Sequence, residues 1–147
     1  MKKLFCAAFT YLIAGLASGL YYRELTKHTE FPDAATTQLS VAHTHLLTLG
    51  FLALLLVLAL EGSFDLSRSR LFPWFFWTYN AGVIVTSGML VWHGTLTVLG
   101  QEGNAMTSGI AGLGHILLTV GTVLLFLALR PAVNKAVKAR TIQGTAR

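Results

Sequence analysis

Four long apolar stretches decide what this chain can fold into. They cover residues 4–22, 41–60, 71–99 and 105–129, and none of them contains an Asp, Glu, Lys or Arg. A helix rises about 1.5 Å per residue, so each stretch is long enough to cross a hydrocarbon core of about 30 Å. Only 12% of the residues are charged, about half the share usual in soluble domains. The sequence therefore predicts an all-α integral membrane protein, a single domain of four helices over residues 1–147.

The placement of Lys and Arg predicts how these helices are oriented. Nine of them lie at the N-terminus, between the second and third stretches, or after the fourth, whereas only Arg23 and Lys27 lie on the other side. Because cytoplasmic segments are enriched in these residues, we expect both termini in the cytoplasm. The predicted location is a bacterial inner membrane, crossed several times. Basic residues flank the apolar stretches and form no patch with interleaved aromatics, so nucleic acid is not an expected partner.

Proline and glycine residues predict where the helices end and where they approach each other. Pro32 interrupts the polar segment between the first two helices, and Pro131 is expected to end the fourth helix. Residues 100–104 are predicted to form a tight turn. Gly15 and Gly19 form a GxxxG pair, which lets a second helix approach closely. The lone cysteine of the chain excludes an internal disulfide and a CxxC motif.

Two histidines at the start of the second helix are the strongest candidates for chemistry. His43 and His45 lie at the head of an apolar stretch, where an ionisable side chain is costly and indicates a functional site. Positions i and i+2 of a helix lie about 200° apart, so the two imidazoles are expected to serve different neighbours. Thr44 and Thr48 are predicted to fix their tautomers by accepting hydrogen bonds.

His93 and His115 are predicted to lie in the same outer layer of the membrane as this pair. All four fall within roughly 5–15 Å of the outer interface at 1.5 Å per residue. Helical spacing predicts inward-facing polar strips on the third and fourth helices. The strips are Gly82, Thr86, Met89 and His93 on the third helix, and Gly112, His115, Thr119 and Thr122 on the fourth.

An all-imidazole set favours particular ligands. The candidate metal ligands are His43, His45, His93 and His115, and no Asp, Glu or Cys accompanies them at that depth. Such a set suits heme iron or copper, and it suits zinc less well because a carboxylate is missing. The simpler alternative for each histidine is a hydrogen bond between helices. His28, in the outer loop, is expected to be solvated.

Residues 42–51, Ala-His-Thr-His-Leu-Leu-Thr-Leu-Gly-Phe, resemble the His-x-His helix of heme-copper oxygen reductase catalytic subunits, especially the cbb-type pattern G-H-V-H-x-x-x-L-G-W. In that family the two histidines ligate two different hemes, and the subunit has twelve helices in three four-helix arcs. The resemblance implies heme ligation by His43 and His45. His93 falls roughly where the family keeps copper ligands, but its paired histidine is missing, and His115 has no counterpart. The whole chain also resembles an uncharacterised bacterial family of four-helix membrane proteins that shares the Tyr-Arg-Glu and His-Thr-His stretches.

These observations lead to one main hypothesis and two alternatives. The main hypothesis is a b-type heme-binding membrane protein for electron transfer or diatomic gas binding, with four helices forming an arc and three chains forming a twelve-helix homotrimer. Arg23, with Tyr22, Lys27 and Gln38, lies on the outer side as a candidate contact for heme propionates. Whether the protein is an oxidoreductase stays open, because its spans carry no evident proton pathway. The alternatives are copper or zinc on His45, His93 and His115 without heme, and a structural or assembly subunit.

Overall fold

The protein is a helical membrane bundle. The computed structural model describes residues 1–32, 35–101 and 105–145. Each of its four helices is long and apolar enough to span a membrane, which confirms the predicted all-α class. The helices are α1 (Lys2–His28), α2 (Leu39–Phe64), α3 (Phe72–Val98) and α4 (Ala105–Thr145), and a 3₁₀ turn (Leu66–Arg68) joins α2 to α3.

Consecutive helices are neighbours in space. Helix α1 packs on α2, α2 packs on α3, and α3 makes its most extensive contact with α4. Over the described residues, α1 and α4 do not touch. The apolar core contains Leu4 of α1, Leu54 of α2, and Phe75 and Val83 of α3, all fully buried. The chain therefore forms an open row of four helices with one uncovered edge at each end.

The first helix extends beyond the predicted limit of residue 22. Its continuation to His28 contains Arg, Glu, Leu and Lys, which are good helix formers. Glu30 then adopts a left-handed conformation with φ of 50°, and the Phe31 N–H donates to the Thr26 carbonyl at 3.0 Å. This is the hydrogen-bond pattern of a Schellman C-cap, and Pro32 follows directly, as expected for a residue that cannot continue a helix.

Helix α3 ends in the same motif with a glycine. Gly100 has a φ of 68°, a conformation that costs glycine nothing. Its N–H donates to the Thr97 carbonyl at 3.2 Å, and the Gln101 N–H donates to the Leu96 carbonyl at 2.8 Å. The predicted turn begins here, but residues 102–104 lie outside the described residues.

The prediction that Pro131 ends the fourth helix is wrong. Helix α4 continues through Pro131 to Thr145. Proline removes one backbone donor and crowds the carbonyl four residues earlier, and a long transmembrane helix tolerates this where other groups satisfy that carbonyl. The basic segment after Leu129 is therefore a helical extension of the fourth span, as far as Thr145.

Helix α2 contains a π-helical segment. It is α-helical over Leu39–His45, π-helical over Leu46–Leu52, and α-helical again over Ala53–Phe64. At the end of the segment the Ala53 N–H bonds to the carbonyl of Thr48, five residues back. Within it, the Tyr79 hydroxyl of α3 donates to the Leu49 carbonyl at 3.0 Å. Such segments are rare and often lie at functional sites, and this one begins directly after His45.

The GxxxG pair of α1 lies at a close helix contact, as predicted, and the partner helix is α2. A Cβ placed on Gly15 would be 2.7 Å from Leu47 Cδ2, and one placed on Gly19 would be 3.7 Å from His43 Cβ. Farther along the seam, a Cβ on Gly50 would be 2.5 Å from the Tyr11 ring. The contacts show that His43, Leu47 and Gly50 share one face of α2, and that this face packs on α1.

Candidate functional site

His45 presents one free ring nitrogen. Its Nδ1 lies 3.1 Å from the Val41 carbonyl, which can only accept a hydrogen bond, so Nδ1 carries the proton of the neutral imidazole. The lone pair is then on Nε2. Among the described residues, neither Thr44 nor Thr48 contacts the His45 ring: Thr48 donates its hydroxyl to the Thr44 carbonyl at 2.6 Å, and the Thr44 hydroxyl contacts His43 instead. The i−4 carbonyl therefore sets the tautomer of His45.

His43 has a different environment. The side chain is half-buried against Gly19 of α1. Its Nδ1 is buried without a hydrogen-bond partner, and its Nε2 lies 3.4 Å from the Thr44 hydroxyl. An unsatisfied buried polar atom costs about 1–3 kcal/mol, so packing against α1 must hold this imidazole. The predicted divergence of His43 and His45 follows from their spacing in the α-helical part of α2.

Arg23 lies one helical turn beyond Gly19, toward the C-terminal end of α1. Its side chain is 71% exposed, and its Nε is 3.7 Å from a carboxylate oxygen of Glu24. An exposed pair of this kind contributes little to stability. Arg23 is therefore available at the same end of the bundle as the histidine pair.

His115 repeats the hydrogen bond of His45 on another helix. It is exposed on α4, and its Nδ1 lies 3.0 Å from the Ala111 carbonyl, which again leaves Nε2 with the lone pair. Thr119 and Thr122 donate their hydroxyls to the carbonyls of His115 and Leu118 at 2.9 and 2.8 Å.

The strip that contains His115 does not face inward, contrary to the prediction. Gly112, His115, Thr119 and Thr122 are all exposed. Helix α4 instead packs on α3 through Gly114 and Gly121: a Cβ on Gly114 would be 2.5 Å from the Thr86 hydroxyl oxygen, and one on Gly121 would be 2.9 Å from Tyr79. Glycine brings the two backbones close, so the glycine face is the packed one.

The strip on α3 does face α4 at Gly82 and Thr86, which both contact that helix. Thr86 is buried against Gly114, and a Cβ on Gly82 would be 2.7 Å from the Leu118 backbone nitrogen. His93 continues this face at helical spacing and is half-buried. The next residue, Gly94, contacts the backbone of Leu39 so closely that no side chain fits there.

Interhelical contacts set the relative depth of the histidines. Gly94 meets Leu39, and Thr86 meets Gly114. Counted from these pairs at 1.5 Å per residue, His45 and His115 differ in depth by about 5 Å, and His93 lies about 8 Å closer than His45 to the end of the bundle where α3 ends. Among the residues that the structure describes, no three His, Cys, Asp or Glu side chains are grouped to hold a metal ion.

A buried polar pair between α1 and α3 was not predicted from the sequence. The Tyr11 hydroxyl donates to Asn80 Oδ1 at 2.9 Å, and Asn80 Nδ2 donates to the Phe76 carbonyl at 2.6 Å. Both side chains border an open groove of about 590 Å³ between the two helices. The only indication in the sequence was an amide side chain inside an otherwise apolar stretch, because polar residues in a span usually have a partner.

Together, the four apolar helices and their interhelical contacts define a multi-spanning helical membrane protein. Residues 1–132 match the family described as "Protein of unknown function (DUF2871)", and the chain belongs to this family. No curated protein and no solved structure matches it significantly.

Proposed function

We propose that this membrane protein binds a b-type heme, with His45 as its leading axial ligand. The observation that carries the proposal is the hydrogen bond from His45 Nδ1 to the Val41 carbonyl. Ligating histidines usually donate their second ring N–H to such a group, which fixes the ring and leaves the other nitrogen free to bind iron. The π-helical segment that begins at Leu46 adds the kind of backbone irregularity that is frequent at functional sites.

His43 is the second candidate of the pair. Its buried Nδ1 has no partner, and its Nε2 has only the long contact to the Thr44 hydroxyl, so neither ring nitrogen is committed to the backbone. Arg23, exposed at the same end of α1, is the candidate partner for a heme propionate, because guanidinium pairs well with carboxylate. These assignments support the proposed relation to the His-x-His helix of the heme-copper oxygen reductases.

Ligand number favours heme over a copper or zinc site. Heme iron takes one or two axial protein ligands, whereas zinc and copper sites commonly use three or four. The described residues of one chain offer no group of three, so a copper or zinc site on His45, His93 and His115 would need ligands from several chains. Two alternatives compete with heme in the test below. One is this copper or zinc site, and the other is a structural role in which the histidines only form hydrogen bonds between helices.

A heme here would supply electron transfer or the binding of a diatomic gas. Proton pumping is not part of the proposal, because the predicted spans contain no Asp, Glu, Lys or Arg. Glu61 is buried near the end of α2 and accepts a hydrogen bond from the Ser67 N–H at 2.8 Å. It therefore caps the loop between α2 and α3.

Orientation and assembly complete the proposal. The excess of Lys and Arg at the N-terminus, in the second loop and after the fourth span supports cytoplasmic termini in a bacterial inner membrane. The uncovered edges of α1 and α4 support a homotrimer of twelve helices, because a contact between unlike edges must close into a ring to avoid an open polymer.

The test is a spectrum of the purified protein expressed with ample heme. We expect a Soret band that shifts on reduction with dithionite, and we expect His45→Ala to lose most of the bound heme. His28→Ala is the matched control, because this exposed histidine ends α1 away from the pair. Stoichiometric copper or zinc without a Soret band would establish the metal alternative, and the absence of any bound cofactor would leave the structural one.

A further inference from the structure

A cavity of about 470 Å³ lies between α4 and the turn that joins α2 to α3. The turn and α4 are in contact, so the cavity belongs to the fold of a single chain. One wall comes from the end of α2 and the turn, and the other comes from one face of α4. The α4 residues recur at helical spacing, and three of the five are alanines, which leaves the space open. They are Ala128, Pro131, Ala132, Lys135 and Ala136.

The cavity lies at the level where the apolar spans end. Ala128 is buried, and the fourth apolar stretch ends one residue after it. Lys135 lies about 10 Å farther along α4, at 1.5 Å per residue. On the opposite wall, α2 ends at Phe64, and Leu66 of the turn is buried. The cavity therefore runs from the edge of the hydrocarbon to the level of the lipid headgroups.

Two cations from opposite walls line this cavity. Arg68 comes from the turn and Lys135 comes from α4. Asp65 also lines it, but its carboxylate oxygen lies 3.7 Å from Arg68 Nε in an exposed pair, which binds weakly and leaves the guanidinium available. Two cations and one carboxylate leave one positive charge, which a singly charged phosphodiester would neutralise.

We propose that this cavity binds an anionic phospholipid, with its phosphate between Arg68 and Lys135 and its acyl chains directed toward Ala128. Basic pockets between membrane helices are common sites for acidic headgroups, and guanidinium can pair with phosphate through two hydrogen bonds. A zwitterionic headgroup fits less well, because its ammonium group would meet a cavity that is already positive. A free phosphate ion would leave the apolar end of the cavity unfilled. The site lies at the opposite end of α2 from His43 and His45, and the inference does not depend on the proposed heme.

The test is titration of the purified, delipidated protein in detergent with phosphatidylglycerol, followed by native mass spectrometry. We expect one phosphatidylglycerol to bind more tightly than phosphatidylcholine does. Arg68→Gln and Lys135→Gln should each weaken the binding of phosphatidylglycerol about fivefold, and together about 25-fold. Lys138→Gln is the matched control, because Lys138 is exposed on the same extension of α4 but does not line the cavity. It should change the affinity less than twofold.

A second variant tests the shape of the cavity without changing its charge. Ala132→Phe fills the space from the α4 wall and should weaken the binding of phosphatidylglycerol at least as much as the double charge variant. Val137→Phe, at an exposed position outside the cavity, should leave the binding unchanged. Gel filtration and circular dichroism establish that each variant is folded.

Three outcomes would overturn the proposal. The first is equal affinity for phosphatidylglycerol and phosphatidylcholine. The second is an equal loss of affinity in Lys138→Gln and Lys135→Gln, or no loss in Ala132→Phe, because the lipid would then bind outside the cavity. The third is displacement of phosphatidylglycerol by an equal concentration of inorganic phosphate, which would show a site for phosphate alone.

Discussion

The close helix contacts made at glycines, here called the glycine seams, and the exposed α4 stripe of Gly112, His115, Thr119 and Thr122 are built from similar residues but have opposite surroundings. In the seams, Gly94 contacts the Leu39 backbone and Gly114 contacts Thr86. On the stripe, a Cβ placed on Gly112 would meet nothing within 4 Å, and His115 beside it is exposed. The seams are packed within one chain, whereas the stripe is uncovered by the described residues.

This difference shows what small and polar residues mean in a membrane helix. Helices in lipid associate through close packing and interhelical hydrogen bonds, since burial of apolar surface gives no advantage there. Both patches therefore have the composition of a helix contact. One of them is packed within the chain, and the other is exposed.

The largest expected loss of stability comes from a side chain inserted into the tightest glycine seam. Gly94→Val should lower the free energy of unfolding by about 3 kcal/mol or more, because its Cβ would overlap the Leu39 backbone and overpacking costs about 1–3 kcal/mol even where side chains can move. Unfolding of the purified protein by SDS, followed by tryptophan fluorescence, measures the loss.

Gly88→Val is the control for this substitution. Gly88 lies on the same helix, and a Cβ placed there meets nothing within 4 Å. We expect its stability to stay within about 1 kcal/mol of wild type. Equal losses in the two variants would show that the seam is not the tight contact described here.

A smaller effect is expected at the hydrogen bond that joins α3 to the π-helical segment. Tyr79→Phe removes the donor to the Leu49 carbonyl and should cost about 1 kcal/mol. Hydrogen exchange should also accelerate over Leu46–Leu52 while exchange over Leu39–His45 is unchanged. Tyr21→Phe is the matched control, because its hydroxyl contacts Thr95 at an exposed position. Unchanged exchange in Tyr79→Phe would mean that the segment does not depend on this bond.

The sequence was sufficient for the features that depend on local pattern. Apolar length predicted four helices, and GxxxG predicted a close helix contact on α1. Each rests on the geometry of one helix, which a sequence carries directly.

The features that the sequence did not predict depend on a partner element. The π-helical segment involves Tyr79, from a different helix, and Tyr11 meets Asn80 across two helices. The direction of the α4 stripe was predicted wrongly, because helical spacing shows that residues share a face but not what that face contacts. The face that packs on α3 is the one with Gly114 and Gly121, and its sequence pattern is as compatible with helix packing as that of the stripe.

The smallest expected effect tests the stripe without touching a proposed ligand. Thr119→Val keeps the shape of the side chain and removes a hydroxyl that bonds only to its own helix. The stability of the isolated chain should therefore change by less than about 0.5 kcal/mol. If copies of the chain cover the stripe, the hydroxyl also lies in their contact, where a transmembrane hydrogen bond contributes about 0.6 kcal/mol on average. The dissociation constant of the oligomer, measured by dilution in detergent, should then rise about threefold.

The control is Val120→Thr, on the apolar half of the same exposed surface. It should leave the dissociation constant unchanged, and a reversed ranking of the two variants would place the contact on the other side of α4.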